Sequence, residues 1–264
     1  MAKLLFQHPA DNLATPDVTA TPSSEDVAYP IENLFNGNPA KPFRFDALQG
    51  NVVIDFGVAT QIDIFAVVMH NLDEGIDFRL QANDVDEWST PSLDQVVTVG
   101  APDEDGFPPN LGLDLTGIAS RTFRYWRLLV AEDNSDAPAF GHLHLGAPKR
   151  SLVHNISWGL QEGVERTIVE HETDYYVSTI YDLGVKVRTF QGECETTDAG
   201  LAVIRQWWDA CRGRALPTII VPDPANLEPM LVRWAEIRRS DRREFKNVNM
   251  LDLAWREVSR GLVL

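Results

Sequence analysis

The sequence has few cysteines: only Cys194 and Cys211 occur in 264 residues. Two thiols cannot build the disulfide framework that holds small secreted domains together. Both fall in segments with the pattern of regular structure, where a free cysteine usually behaves as a small buried side chain. We therefore expect two buried free thiols. A single bridge stays open, and it would require Cα atoms within about 7 Å.

Long hydrophobic runs are also missing. No apolar stretch approaches the roughly 20 residues that a membrane-spanning helix needs. Residues 1–12 lack the basic segment followed by an apolar core that is typical of a signal peptide. We expect neither membrane insertion nor a cleaved leader.

Positive charge is scarce, with 23 basic against 39 acidic side chains and a formal net charge of −16. Phosphate binding needs clustered Lys and Arg, so sequence-specific nucleic-acid binding is not expected. Residues 1–150 contain 22 acidic and 9 basic side chains, whereas residues 151–264 contain 17 and 14. This asymmetry indicates two domains.

Motifs for catalysis and cofactors are absent. The sequence contains no Gly-x-Ser-x-Gly turn, no Gly-x-Gly-x-x-Gly loop and no Walker sequence. His142 and His144 place two imidazoles on one strand face without a third metal ligand, so we expect surface or groove histidines. The acidic clusters at 84–87 and 103–105 do not have EF-hand spacing and indicate solvated loops. We expect no enzyme, no cofactor and no metal.

Alternating apolar residues predict a series of β-strands in the first half. Residues 61–70 are apolar on both faces, which is typical of the central strand of a sandwich. Residues 147–150 form a natural boundary, and we predict a β-sandwich domain over 1–148. The predicted strands are 51–56, 61–70, 78–82, 95–99, 122–131 and 142–145.

The second half has strands, one helix and further strands, which predicts an α+β domain over 149–264. The helix is expected at 199–212, with Thr197 or Asp198 as its N-cap and Gly213 as its left-handed C-terminal residue. The predicted strands are 164–172, 185–193, 217–221, 230–237 and a last strand through 251–255.

The expected apolar face of this helix contains Leu201, Ile204, Trp208 and Cys211, which recur at three-and-four spacing. The neighbouring Trp207 then lies at the edge or in a subunit contact, where tryptophan is enriched. The alternative is that both tryptophans belong to the core.

Four arginines cluster between the last two strands. Arg238, Arg239, Arg242 and Arg243 are expected at the tip of a hairpin. Such a tip is most often a solvated turn, but on an acidic chain it is also a candidate contact with a neighbouring subunit.

The first domain resembles the galactose-binding-like jelly rolls of the discoidin or coagulation-factor type C family. The resemblance is carried by residues 31–38 (IENLFNGN), 51–57 (NVVIDFG) and 124–128 (RYWRL), and it covers most of residues 20–146. It implies a jelly-roll sandwich whose ligand is a sugar, a lipid or a protein. For a sugar, the candidate ligand or partner surface comprises Trp88 and Phe107, two aromatic residues in polar loops.

The second domain resembles the tail-hub, tube-related module of long-tailed bacteriophages. The resemblance is carried by residues 190–193 (FQGE), the helix through Trp207, residues 216–223 (LPTIIVPD) and residues 251–258 (LDLAWREV). It implies a distal tail protein that forms a ring, with six copies expected, through which DNA passes.

The leading hypothesis is therefore a structural component of the virion tail tip, assembled in the host cytoplasm. It would contact itself, the tail tube protein and other tail-tip proteins, and would connect the tube to the tip or baseplate. The alternative is a carbohydrate-binding or adhesion module of a virion or cell-surface protein, with a glycan as partner.

Overall fold

The computed structural model describes residues 4–103, 106–152, 161–172, 178–221, 228–240 and 249–258. Strands dominate these residues, and the expected mostly β fold with one α-helix is confirmed. Two short 3-10 helices occupy Pro9–Asp11 and Ile31–Phe35. In chain order the elements are β1 (Leu5–Phe6), β2 (Thr19–Pro22), β3 (Phe43–Arg44), β4 (Gly50–Gln61), β5 (Ile64–His70), β6 (Asp77–Asn83), β7 (Leu93–Thr98), β8 (Leu111–Asp114), β9 (Thr122–Val130), β10 (Ala139–Gly146), β11 (Arg150–Ser151), β12 (Gln161–Glu172), β13 (Ser178–Thr196), α1 (Asp198–Ala210), β14 (Thr218–Val221), β15 (Met230–Ser240) and β16 (Asn249–Glu257).

The chain divides into two compact units. The sandwich unit comprises the described residues between 2 and 151 and between 219 and 230. The helix unit comprises those between 152 and 218 and between 231 and 264. After residue 218 the chain therefore returns to the sandwich unit before it completes the helix unit.

The sandwich unit is built from two antiparallel sheets. One sheet has the strand order β3-β10-β5-β8, and the other has the order β2-β4-β9-β6-β7. Alternate apolar residues of both sheets meet in one core, where the rings of Phe65 and Phe78 stack with centroids 5.6 Å apart. The predicted β-sandwich is confirmed.

The central position predicted for residues 61–70 is confirmed for Ile64–His70, whereas Gln61 is the last residue of β4. Strand β5 lies between β10 and β8. Its outer face is covered in part by a small antiparallel group of strands, β11-β1-β14, from which Leu5 and Val221 pack with Ile64. A strand with core on one face and cover on the other must be apolar on both.

The helix unit contains α1 and an antiparallel sheet with the order β15-β16-β13-β12. The hydroxyl group of Thr197 accepts a hydrogen bond from the Gly200 N–H, and Gly213 has φ +68°. The predicted N-cap is confirmed. The helix ends at Ala210, two residues before the predicted end, and Arg212 (φ +50°) is left-handed as well as Gly213. None of the described helices has the length and apolarity to cross a bilayer.

Trp207 is buried in the helix unit, which agrees with the alternative that placed it in the core and not with a position at the helix edge. Its side chain is 0% exposed, and its indole N–H donates to Thr218 Oγ1 at 3.1 Å. Trp208 is only half-buried. Trp207 and Trp208 lie three and four residues after Ile204, so both fit the helical period. The sheet packs against Trp207, through Trp234 and Trp255. Because Trp207 has no exposed surface, it cannot contact a neighbouring subunit.

Arg238 and Arg239 lie within strand β15, where the sequence predicted a hairpin tip. They are opposite Asp252 and Leu251 of β16 in the strand register. Strand pairing uses backbone groups, so a run of charged residues can still belong to a strand. The charge of this run therefore did not mark the end of β15. Arg242 and Arg243 lie outside the described residues.

Candidate functional site

The outer face of the five-stranded sheet contains a cluster of polar and aromatic side chains, here called the Trp88 surface. It consists of Gln81 on β6, Asp94 on β7, Arg127 on β9, and Asp86 and Trp88 in the loop between β6 and β7. Strand alternation determines this placement, because Leu80, Ala82, Trp126 and Leu128 point into the core and their neighbours point outward.

Arg127 is held at the centre of this surface. Its Nε donates to Gln81 Oε1 at 2.8 Å, and its Nη2 donates to the same oxygen. The guanidinium carbon lies 4.6 Å from the centroid of the Trp88 ring, a cation–π contact. Gln81 is only 5% exposed and forms the floor beneath the arginine.

Trp88 is half-buried and is fixed from two sides. Arg127 lies over its ring, and its indole N–H donates to Asp86 Oδ1 at 2.7 Å. The Asn83 side chain holds the loop itself, donating to the Glu87 carbonyl at 2.8 Å and accepting from the Ser92 hydroxyl group at 3.0 Å. The ring is therefore an ordered platform, which reduces the entropy lost when a ligand binds.

The charges of the surface are interlocked. Arg79 donates to both oxygens of Asp94, at 3.1 and 2.7 Å. Burial raises the pKa of Asp94, but hydrogen bonds from Arg79 and Gln81 together hold that pKa below its ordinary value. Burial lowers the pKa of the Arg127 guanidinium, and the charges of Asp94 and Asp86 oppose this shift.

Phe107 lies at the other end of the sandwich from Trp88. The Trp88 loop precedes β7, and the Phe107 loop follows it. The six residues of β7 separate the two loops by about 17 Å. Phe107 is fixed within its own turn, where its N–H donates to Asp103 Oδ1 at 3.0 Å. The structure does not bring the two predicted aromatic residues into one site.

A third aromatic cluster was not found from the sequence. Arg44 lies 4.2 Å over the Tyr29 ring, and its Nε donates to Asp26 Oδ2 at 3.1 Å. Val27, which lies between Asp26 and Tyr29 in the sequence, is 90% exposed. Tyr29 next to Pro30 was visible as a turn signal, but a contact across fifteen residues leaves no local pattern.

The expectation of surface or groove histidines is wrong. His142 and His144 are 6% and 3% exposed. They lie on β10, and the Gln7 side chain, from the start of the chain, approaches His144 Nε2 at 3.4 Å. Burial lowers the pKa of His142 to about 4 and that of His144 to about 3. Within the described residues, no three His, Cys, Asp or Glu side chains are arranged to hold a metal ion.

Both cysteines are free and buried, as the sequence predicted. Burial raises the pKa of Cys211 to about 11, so its reactive thiolate is scarce at neutral pH.

We expect neither thiol to react with a disulfide reagent in the native protein, and both to react after denaturation. A thiol titration with and without denaturant measures this. Rapid reaction of one thiol in the native protein would contradict the buried position.

No family model matches the sequence, and no curated protein matches it. Solved structures similar to it over about half the chain include carbohydrate-binding modules. A chitosan-binding module of a chitosanase/glucanase from Paenibacillus sp. IK-5 shares 15% identity over 52% of this chain and 98% of that chain, with a TM-score of 0.40. A fucose-binding module from Streptococcus pneumoniae shares 14% over 52% and 98%, with a TM-score of 0.40. A family 32 module from C. perfringens, in complex with galactose, shares 12% over 54% and 98%, with a TM-score of 0.38.

Proposed function

We propose that the sandwich unit binds carbohydrate through the Trp88 surface. The observation that carries this proposal is the half-exposed Trp88 ring, held by Asp86 and Arg127 beside other planar polar groups. A sugar ring offers an apolar C–H face that packs on an aromatic ring and hydroxyl groups that bond to carboxylate, amide and guanidinium groups. The Trp88 surface supplies all of these within one ordered patch.

Replacing Trp88 with alanine is expected to weaken glycan binding by at least about tenfold, because the stacking platform is lost. A glycan array would identify the ligand, and calorimetry would measure its dissociation constant with the wild-type and W88A proteins. Phe107→Ala removes the aromatic residue at the opposite end and is the matched control. Equal affinity of W88A and wild type would exclude this surface.

A second function, assembly into a ring, is favoured by the hairpin of β12 and β13. These strands pair from Gln161 opposite Gln191 to Glu172 opposite Ser178. Among the described residues, the part of β13 that pairs with β16 is Thr189–Thr196. Before Thr189, β13 has β12 as its only neighbouring strand among the described residues. A two-stranded hairpin is marginal in water, and the free edge of β12 can accept another strand.

We propose that this hairpin contacts adjacent subunits in a ring at the tip of a phage tail. The ring would connect the tail tube to the tip or baseplate, let DNA pass through its lumen and present the sandwich unit as a binding module. Its partners would be further copies of itself, the tube protein and other tip proteins, and catalysis would have no part.

Native mass spectrometry with negative-stain imaging tests the assembly. The expected result is a closed ring, with six copies as the predicted number. Deleting the distal part of the hairpin, residues 168–182, should reduce the particle to single chains that still contain a folded sandwich unit. A monomer at every protein concentration would contradict self-assembly.

A further inference from the structure

The arginines of the sandwich unit are paired with one exception. All six lie in the part of the chain that the structure describes, and five form an ion pair with an aspartate. The five pairs are Arg44 with Asp26, Arg79 with Asp94, Arg121 with Asp63, Arg124 with Asp55, and Arg150 with Asp11. The exception is Arg127, whose partner is the neutral amide of Gln81.

Neither acidic neighbour on the Trp88 surface neutralises Arg127 by direct contact. Asp94 is engaged by Arg79 with both oxygens, and Asp86 accepts the indole N–H of Trp88. Arg127 therefore has a positive charge with no carboxylate within ion-pair distance among the described residues. Among the six arginines of the sandwich unit, Arg127 is the one held by an amide.

The guanidinium also keeps donors for a ligand. Arginine has five N–H bonds, and Gln81 Oε1 accepts two of them, from Nε and from Nη2. Of the remaining three N–H bonds, two belong to Nη1 and one to Nη2, so each terminal nitrogen still has a donor. The end of the guanidinium that these two nitrogens form matches the two oxygens of a carboxylate in a bidentate pair.

We propose that the ligand of the Trp88 surface is an acidic sugar, one whose carboxylate pairs with the free end of the Arg127 guanidinium. This inference rests on the proposed carbohydrate binding and adds its specificity: a uronic or sialic acid residue should bind better than its neutral counterpart. Trp88 supplies the platform, and Arg127 determines the charge of the sugar.

The overall negative charge limits the ligand to few acidic groups. The field of the chain repels a polyanion, but at physiological ionic strength it is screened over about 8 Å. The binding of a single carboxylate therefore depends mainly on its direct pairing with Arg127, and little on the net charge of the chain. An oligosaccharide with one acidic residue fits this condition, whereas a uniformly charged polymer does not.

Two pairs of sugars test the proposal: galacturonic acid against galactose, and sialyllactose against lactose. Within each pair the first sugar has a carboxylate that the second lacks. Dissociation constants from calorimetry or from NMR titration are expected to favour the acidic sugar of at least one pair by about tenfold or more. The preference should shrink as salt is raised, because an exposed ion pair is screened.

Gln81→Glu is the decisive variant. It gives Arg127 a carboxylate partner of nearly the same shape and neutralises its positive charge. It also removes the hydrogen bond that Gln81 donates to Asp94, but both oxygens of Asp94 remain bonded to Arg79. We expect the acidic preference to disappear and the neutral sugar to bind as before. Arg127→Gln should also lose the preference. Arg124→Gln, on the same strand but paired with Asp55, should keep it.

The outcomes separate this inference from the proposed function. Binding of the neutral sugars at equal or higher affinity, still lost in W88A, would overturn the acidic preference and leave carbohydrate binding intact. A preference that survives in Q81E would overturn the role of Arg127. If neither these sugars nor a glycan array shows binding, both proposals fail.

Discussion

Trp207→Ala is expected to destabilise the helix unit by about 3–5 kcal/mol, the usual cost of truncating a large aromatic core residue. The Trp207 ring centroid lies 4.5 Å from that of Trp234 and 5.7 Å from that of Trp255, and none of the three side chains is more than 1% exposed. Removing the central indole leaves a cavity among rigid rings that cannot collapse to fill it.

The same substitution also removes a buried hydrogen bond. The Trp207 indole N–H donates to Thr218 Oγ1, and the hydroxyl group would lose this donor. Trp207→Phe keeps most of the ring but loses the donor, so its loss of stability should lie between those of the wild type and Trp207→Ala.

Trp208→Ala is the matched control, because this ring is half-buried and contacts the cluster from its edge, 5.8 Å from Trp234. Urea unfolding followed by circular dichroism compares the three variants. A Trp207→Ala protein with wild-type unfolding but altered particle mass would contradict the core position and restore the subunit contact predicted from the sequence.

Acidification from pH 6.5 to 4 is expected to destabilise the sandwich unit steeply. His142 and His144 are neutral when folded, since burial lowers their pKa to about 4 and about 3, whereas both take up protons near pH 6.5 when unfolded. Below pH 6.5 the unfolded state binds more protons, so the free energy of unfolding falls as the pH falls. Two such histidines contribute up to about 3 kcal/mol per pH unit.

Burial outweighs the one opposing charge that acts on the pair within the described residues, that of Asp11, which raises the pKa of His144. His142 Nδ1 is buried without a hydrogen-bond partner among the described residues. The nearby Asp11 carboxylate is engaged by Arg150 through two hydrogen bonds. Burial also lowers the pKa of His8, with Arg150 adding to this shift, so His8 contributes in the same direction.

Urea midpoints at intervals between pH 7 and 4 measure this dependence. A His142→Gln, His144→Gln double variant should have a much shallower slope, and the slope that remains should come from His8. The paired carboxylates affect stability at lower pH. The pKa of Asp26, for example, is lowered mainly by its hydrogen bond from Arg44, so its stabilisation is lost only below pH 4. Equal slopes for the variant and the wild type would contradict the buried neutral pair.

Local pattern was enough to predict most elements of this protein. Strand β5 followed from residues apolar on both faces, and helix α1 followed from its apolar period with Thr197 and Gly213 at its ends. These signals lie within a few residues of one another, since strand alternation and helix capping are properties of neighbouring positions. The sequence alone therefore determined the β-sandwich, the single helix and the buried free thiols.

The tertiary structure decided which faces are covered and which side chains meet. Trp207 and Trp208 both fit the helical period, and the position of the sheet against α1 selects Trp207 for the core. His144 is buried because Gln7, 137 residues earlier, folds over it. Arg127 meets Gln81 across 46 residues. Such contacts depend on the register and packing of elements that are distant in the sequence. The periodicity of one segment contains no information about which other segment packs against it.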